Sequence, residues 1–241
     1  NFTKVARAAP HNRVINGLIG LLGDAIATGA SRMGIREDWE ALAKQLGFQF
    51  HPGIEAMFQM RCAKVLVEEQ GQNWEQAQEA FNSTIARAVL QKFFLGIAQG
   101  SYRGQEAFLL RQSSRSDGKT YFRTRFGVLF PQSLDIGLQV YPERWTGKLS
   151  KFFGAQDVTV GSPDFDPKAM IKAKHANRAK TLLGEQRVQK ALLALFELGG
   201  ESRLDDFGVM HREPGEIPTK ERALEVLDRL VNVAGALPSL P

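Results

Sequence analysis

Three aspartates in one short stretch are the side chains best placed to do chemistry. Asp157, Asp164 and Asp166 fall in or beside the turn Gly161-Ser-Pro-Asp-Phe-Asp166. Two carboxylates at i and i+2 offer the hard oxygen ligands that Mg²⁺ and Ca²⁺ require, so a metal-dependent enzyme built on this turn is one reading. The competing reading is structural, because aspartate favours turns by bonding nearby backbone amides. The EF-hand spacing is absent, and on the structural reading Phe165 plugs into the core. His11, His51, His175 and His211 are scattered, with no His-x-x-x-His pair, and zinc-ligand spacing is missing. The single cysteine, Cys62, sits in an apolar helical run, as a small buried hydrophobe would. Gly17, Gly20 and Gly23 recur every third residue but lack the preceding strand and the G-x-G opening of a dinucleotide site. Phosphate-loop and nucleophile-elbow patterns are also missing. No catalytic residue and no cofactor is expected, and the inventory leans toward a non-enzymatic chain.

A second constellation is built for binding. Tyr121, Arg123 and Arg125 alternate along one expected strand, so they share its polar face, and Tyr141 on another strand can neighbour them. Arginine and aromatic residues on an open sheet suit single-stranded nucleic acid. They suit protein interfaces equally well, and basic residues also protect open sheets from aggregation. Gly17, Gly20 and Gly23 form the other contact candidate. Glycine in a helix costs about 1 kcal/mol relative to alanine, and close approach of a second helix is one reason to accept that cost.

These residues must be held by two kinds of structure. The first 97 residues read as helical. Arg36–Leu46 carries an apolar stripe of Trp39, Leu42, Ala43 and Leu46 and stops at Gly47, and two further helices at 53–97 have the character of an insertion. Residues 98–241 read as a sheet with C-terminal helices, the whole forming one compact unit. Strands are expected at Tyr102–Arg111, Tyr121–Phe130 and Leu134–Tyr141, joined by short connections that favour antiparallel neighbours. On the second strand Phe122, Thr124, Phe126, Val128 and Phe130 face the core. On the third, Leu134, Ile136, Leu138 and Val140 do so, while Gln139 and Tyr141 face out. Asp157–Gly161, Lys168–Lys174 and Leu204–His211 add shorter strands. Arg178–Leu198 is helical with a break at Gly184, and Thr219 caps an amphipathic last helix. The fold class is α+β: a central antiparallel sheet covered on one face by helices, with a helical N-terminal part.

Charge is unevenly spread over the net +5. Residues 98–190 hold 16 Lys/Arg against 8 Asp/Glu, whereas residues 191–241 hold 5 against 9. A basic middle attracts anionic partners. Residues 14–35 form the most apolar stretch, but Asp24 interrupts it, and a membrane span needs about 20 predominantly apolar residues. Peripheral membrane contact through 14–35 is therefore the alternative to a plain cytoplasmic chain.

Several segments resemble a bacterial protein family of uncharacterised activity. They are Asp38-Trp39 to Leu46-Gly47, Gly100-Ser-Tyr-Arg-Gly104, Tyr141-Pro-Glu143, Gln156-Asp-Val-Thr-Val-Gly161 and Asp164-Phe-Asp166, followed by a leucine-rich helix. The resemblance spans about Trp39–Val209. It implies a fold around a curved antiparallel sheet and supplies no site residues.

The sequence thus points to a non-enzymatic bacterial interaction or assembly component, engaging a protein partner or a second copy of itself. The alternatives are a binder of nucleic acid or anionic membrane through the Arg/Tyr sheet face, and a metal-dependent enzyme using the aspartate turn.

Overall fold

The computed structural model describes residues 29–52, 61, 75, 96–116, 119–143, 156–215 and 217–238. Gly17, Gly20, Gly23, Cys62 and most of the two helices expected at 53–97 lie outside the described residues. The described chain is α+β. Its nine strands are β1 (Gln49–His51), β2 (Ile97–Tyr102), β3 (Gln105–Ser116), β4 (Lys119–Leu129), β5 (Gln139–Pro142), β6 (Gln156–Asp157), β7 (Ala169–Ala173), β8 (Glu201–Asp205) and β9 (Gly208–Pro214). The helices are α1 (Gly29–Leu46), α2 (Ala176–Gly184), α3 (Gln186–Phe196) and α4 (Lys220–Ala236). Strand order in the sheet is β1-β2-β3-β4-β9-β8-β5-β7-β6. The β1–β2, β5–β7, β5–β8, β6–β7 and β8–β9 pairs are antiparallel.

Two compact units divide the chain. The first takes Asn1–Gln99, Leu109–Thr124 and Pro214–Ile217. In it Trp39, Leu42 and Ala43 bury the apolar stripe of α1, as their spacing requires. Gly96 has φ +129°, and a Cβ there would meet the Phe50 ring at 2.4 Å, so only glycine lets the chain enter β2 alongside that ring.

The second unit takes Gly100–Phe108, Arg125–Glu213 and Pro218–Pro241. Its core joins Phe108, Phe126, Phe165, Ile171, Leu183, Leu192, Leu204 and Leu227, all buried. Helix α3 turns Val188, Leu192, Leu195 and Phe196 inward, and α4 does the same with Ala223, Val226, Leu227, Leu230 and Val233. The Thr219 side chain accepts from the Arg222 amide at the start of α4, the expected cap. The helical stretch after Arg178 breaks at Glu185, whose extended backbone separates α2 from α3 one residue beyond the expected glycine.

Several expected strands come out differently. The run Tyr102–Arg111 contains a tight turn at Arg103-Gly104, where both residues have positive φ (49° and 81°), so it divides into β2 and β3. Leu204–His211 also contains a turn. The Asp205 carboxylate accepts from the amides of Phe207 and Gly208 at 2.9 and 3.1 Å and folds the run into the β8–β9 hairpin. Of Leu134–Tyr141 only Gln139–Pro142 is strand. Residues 136–138 are held instead by the Asp206 carboxylate, which accepts from Ile136, Gly137 and Leu138 at 3.4, 2.8 and 2.9 Å. The aspartate supplies what a neighbouring strand otherwise would.

Candidate functional site

The Arg/Tyr row changes character along β4. Tyr121 is 47% exposed and Arg123 half-buried, both in the first unit. Arg125 and Tyr141, in the second unit, are buried. The expectations that Gln139 and Tyr141 face out and that Arg125 stands with Tyr121 and Arg123 on an open polar face are therefore corrected. The reason is a buried polar cluster. The Tyr141 hydroxyl donates to the Gln139 Oε1 at 2.8 Å, and Arg203 ion-pairs with Asp205 at 2.7 Å. Burial pushes the Asp205 carboxyl above the ordinary carboxylate range, against the lowering by Arg203 and the two turn amides. Burial lowers the Arg125 guanidinium to about 10, with Asp205 acting in the other direction, so it remains charged at neutral pH. Arg125, Gln139, Tyr141 and Asp205 are buried in this cluster, and Arg203 is half-buried.

A Ser–His–Glu array lies on the β8–β9 pair. Ser202 and His211 are register partners across β8–β9, with Ser202 Oγ 2.9 Å from His211 Nδ1. His211 Nε2 lies 3.5 Å from Glu213, and Glu213 accepts from Arg222 at 2.8 Å. The order of groups resembles a hydrolytic triad, but Ser202 is 1% exposed and His211 0%. The adjoining cavity of about 40 Å³ holds little more than a single water. An acyl substrate has no path to this hydroxyl. Sequence reading treated His211 as scattered because its partners come from register rather than from spacing.

The aspartate turn is likewise spent on backbone. Asp166 accepts from the amides of Val160, Gly161 and Ser162 at 3.0, 2.8 and 3.0 Å. Phe165 is fully buried, as expected, while Asp157 and Asp164 are exposed. Among the described residues no group of three His, Cys, Asp or Glu side chains is placed to hold a metal ion.

Two surface features of the second unit remain. The first is a cleft of about 530 Å³ lined by Pro142, Glu143, Pro167, Lys168, Leu193, Phe196 and Glu197. Its floor comes from the C-terminal turn of α3 and from the β5 and β7 ends, which the Glu143 amide ties together by donating to the Lys168 carbonyl at 2.9 Å. Of its apolar lining residues Pro142 and Phe196 are buried, Leu193 is half-buried and Pro167 is exposed, and its charged lining residues Glu143, Lys168 and Glu197 are exposed. The second feature is the outer side of α2 and α3, where Arg178, Lys180, Arg187 and Lys190 are exposed. From Pro167 to Phe196 the sequence holds seven Lys/Arg against one acid, Glu185, and four of the seven are on these two helices.

Among the described residues no helix is long and apolar enough to cross a membrane. The sequence matches no family model and no curated protein. Among solved structures the chain is similar to the crystal structure of the mycobacterial trehalose monomycolate transport factor A, with a TM-score of 0.52 and 10% identity over 86% of this chain and 98% of that one. At that identity the two chains share a fold.

Proposed function

We propose that this protein is a non-enzymatic binding component of a bacterial transport assembly, and that its cleft seats an apolar, basic segment of a partner protein. The cleft carries the reading. Phe196, Leu193, Pro142 and Pro167 give it an apolar lining, and among its charged lining residues Glu143 and Glu197 outweigh Lys168. An apolar side chain leaving water for such a lining contributes about 1.5–3 kcal/mol, and a flanking lysine or arginine on the partner would complement these charges. Two further points support contact rather than catalysis. Ser202 and His211 are engaged with each other across β8–β9, Asp206 and Asp166 are engaged with backbone amides, and the fold is shared with a protein described as a transport factor.

The test is site-specific photocrosslinking in the source cells, with the crosslinker at Leu193 and a control at the exposed Thr181. One discrete adduct to a second protein is expected from Leu193. Reversing the cleft charges with Glu143→Lys and Glu197→Lys should weaken it at least tenfold. Adducts confined to the chain itself, residues 144–155 included, would overturn the reading, as would an adduct indifferent to the charge reversal.

A further inference from the structure

We infer that Arg222 is a positioning residue for the cleft: it ties down the end of α3 that carries Phe196 and Glu197, and so sets how often the cleft is ready for a partner. The inference rests on the cleft reading above. Arg222 is not among the residues that line the cleft. It stands in the first turn of α4, and its guanidinium reaches three places. Nε and Nη2 donate to Glu213 on β9 at 3.0 and 2.8 Å, and Nη1 donates to Glu225 on α4 at 2.8 Å. Nη2 also donates to the Leu198 carbonyl oxygen at 3.3 Å, a residue 24 positions away and two beyond the end of α3.

The end of α3 needs such a tie. Its last amides, Glu197, Leu198 and Gly199, donate to Leu193, Leu195 and Phe196 at 3.1, 3.2 and 3.4 Å, and the longest of these is at the weak end of the hydrogen-bond range. Gly199 and Gly200 follow, both left-handed at φ +79° and +63°. Glycine loses more freedom on folding than any other residue, so this pair adds little stiffness of its own. An arginine suits the position. A cation beside a helix C-terminus meets the negative end of its dipole, and a planar fork serves a carboxylate and a carbonyl together, where an ammonium has a single nitrogen. Glu213 keeps the fork aimed. The hydrogen bond to it, with that to Glu225, holds the guanidinium above its ordinary range against the effect of burial, so the charge is permanent. Glu213 itself is fixed in β9, with the fully buried His211 Nε2 3.5 Å away.

The experiment combines amide hydrogen exchange with the Leu193 photocrosslink, in the full chain and in Arg222→Met, Arg222→Lys and Lys220→Met. A bond from a charged donor shifts a local opening equilibrium by about tenfold or more, and the 3.3 Å length places this one at the lower end. A helix end without ties opens at a free energy near zero, so Arg222→Met should take the α3 end from about a tenth open to about half open. Exchange at Leu198 and Gly199 should then accelerate about fivefold, with Leu192 and Val140 unchanged, and the Leu193 crosslink should fall by about half. Arg222→Lys keeps a charge for Glu213 and should recover thermal midpoint without recovering protection at Leu198. Lys220→Met, exposed two residues earlier, should match the parent. Unchanged exchange at Leu198 and Gly199 in Arg222→Met would overturn the inference. So would equal acceleration at Leu192 and Val140, or protection that returns in Arg222→Lys together with the midpoint, since either makes Arg222 a general brace. A parent crosslink that Arg222→Met leaves intact overturns this inference alone. Absence of the crosslink in the parent overturns the cleft reading, and this inference with it.

Discussion

Replacing Asp206 by alanine tests how the irregular segment before β5 is held. The carboxylate accepts from Gly137 and Leu138 at 2.8 and 2.9 Å, and its 3.4 Å contact with Ile136 adds little. Hydrogen bonds to a charged group contribute about 1.5–3 kcal/mol each. The site is only partly buried, so water can reach the freed amides and the lower figure applies. Two bonds then amount to about 3 kcal/mol. With a urea m-value of about 3 kcal/mol/M, the unfolding midpoint should fall by about 1 M at unchanged slope. Amide exchange at Leu138 should accelerate in the same variant, because its donor loses its acceptor. Asp206→Asn, which keeps one acceptor oxygen and no charge, should lose about half as much. A midpoint loss for Asp206→Ala worth less than about 1 kcal/mol, with Leu138 still protected, would refute the clamp.

Three further outcomes follow from the same unit. Gly208→Ala would place a Cβ 2.3 Å from the Val128 carbonyl oxygen, so backbone must move and urea unfolding should show a loss of about 2–3 kcal/mol; Gly235→Ala in α4 meets nothing within 4 Å and should gain about 0.5 kcal/mol. The Glu213 carboxyl is raised by burial, but hydrogen bonds and charges from His211 and Arg222 outweigh this and hold it below its ordinary value of 4.5. A lowered folded value means that its contribution is present above pH 4.5 and is lost as the pH falls below it. The stability difference between the parent and Glu213→Gln should therefore be greatest at neutral pH and close on acidification.

What the sequence disclosed depended on whether the controlling interaction was local. The Thr219 cap and the α4 stripe are local, and both were legible. So was Phe165, which sits among turn residues with nowhere to go but the core. The period-two pattern of Leu134–Tyr141 was real, in that Ile136, Leu138 and Val140 are buried. Alternation reports side-chain direction, however, and leaves the backbone's hydrogen-bond partner open; that partner is an aspartate 68 residues or more away for Ile136 to Leu138. Arg125 and Tyr141 were misjudged for a related reason. Polar residues read as solvated until another strand brings Asp205 and Arg203 beside them.

The Tyr102 hydroxyl donates to Asp228 at 2.6 Å, and the neighbouring Arg103 binds the same carboxylate at 3.0 Å. The first of these bonds joins residues separated by 126 positions, and Asp228 lies in the last helix. On the ribosome, the β2–β3 turn therefore emerges long before its partner and must remain without it until the 126 positions between them have been made. A nascent chain halted before Lys220 would present that turn, and the apolar side of its half-built unit, to chaperones and proteases.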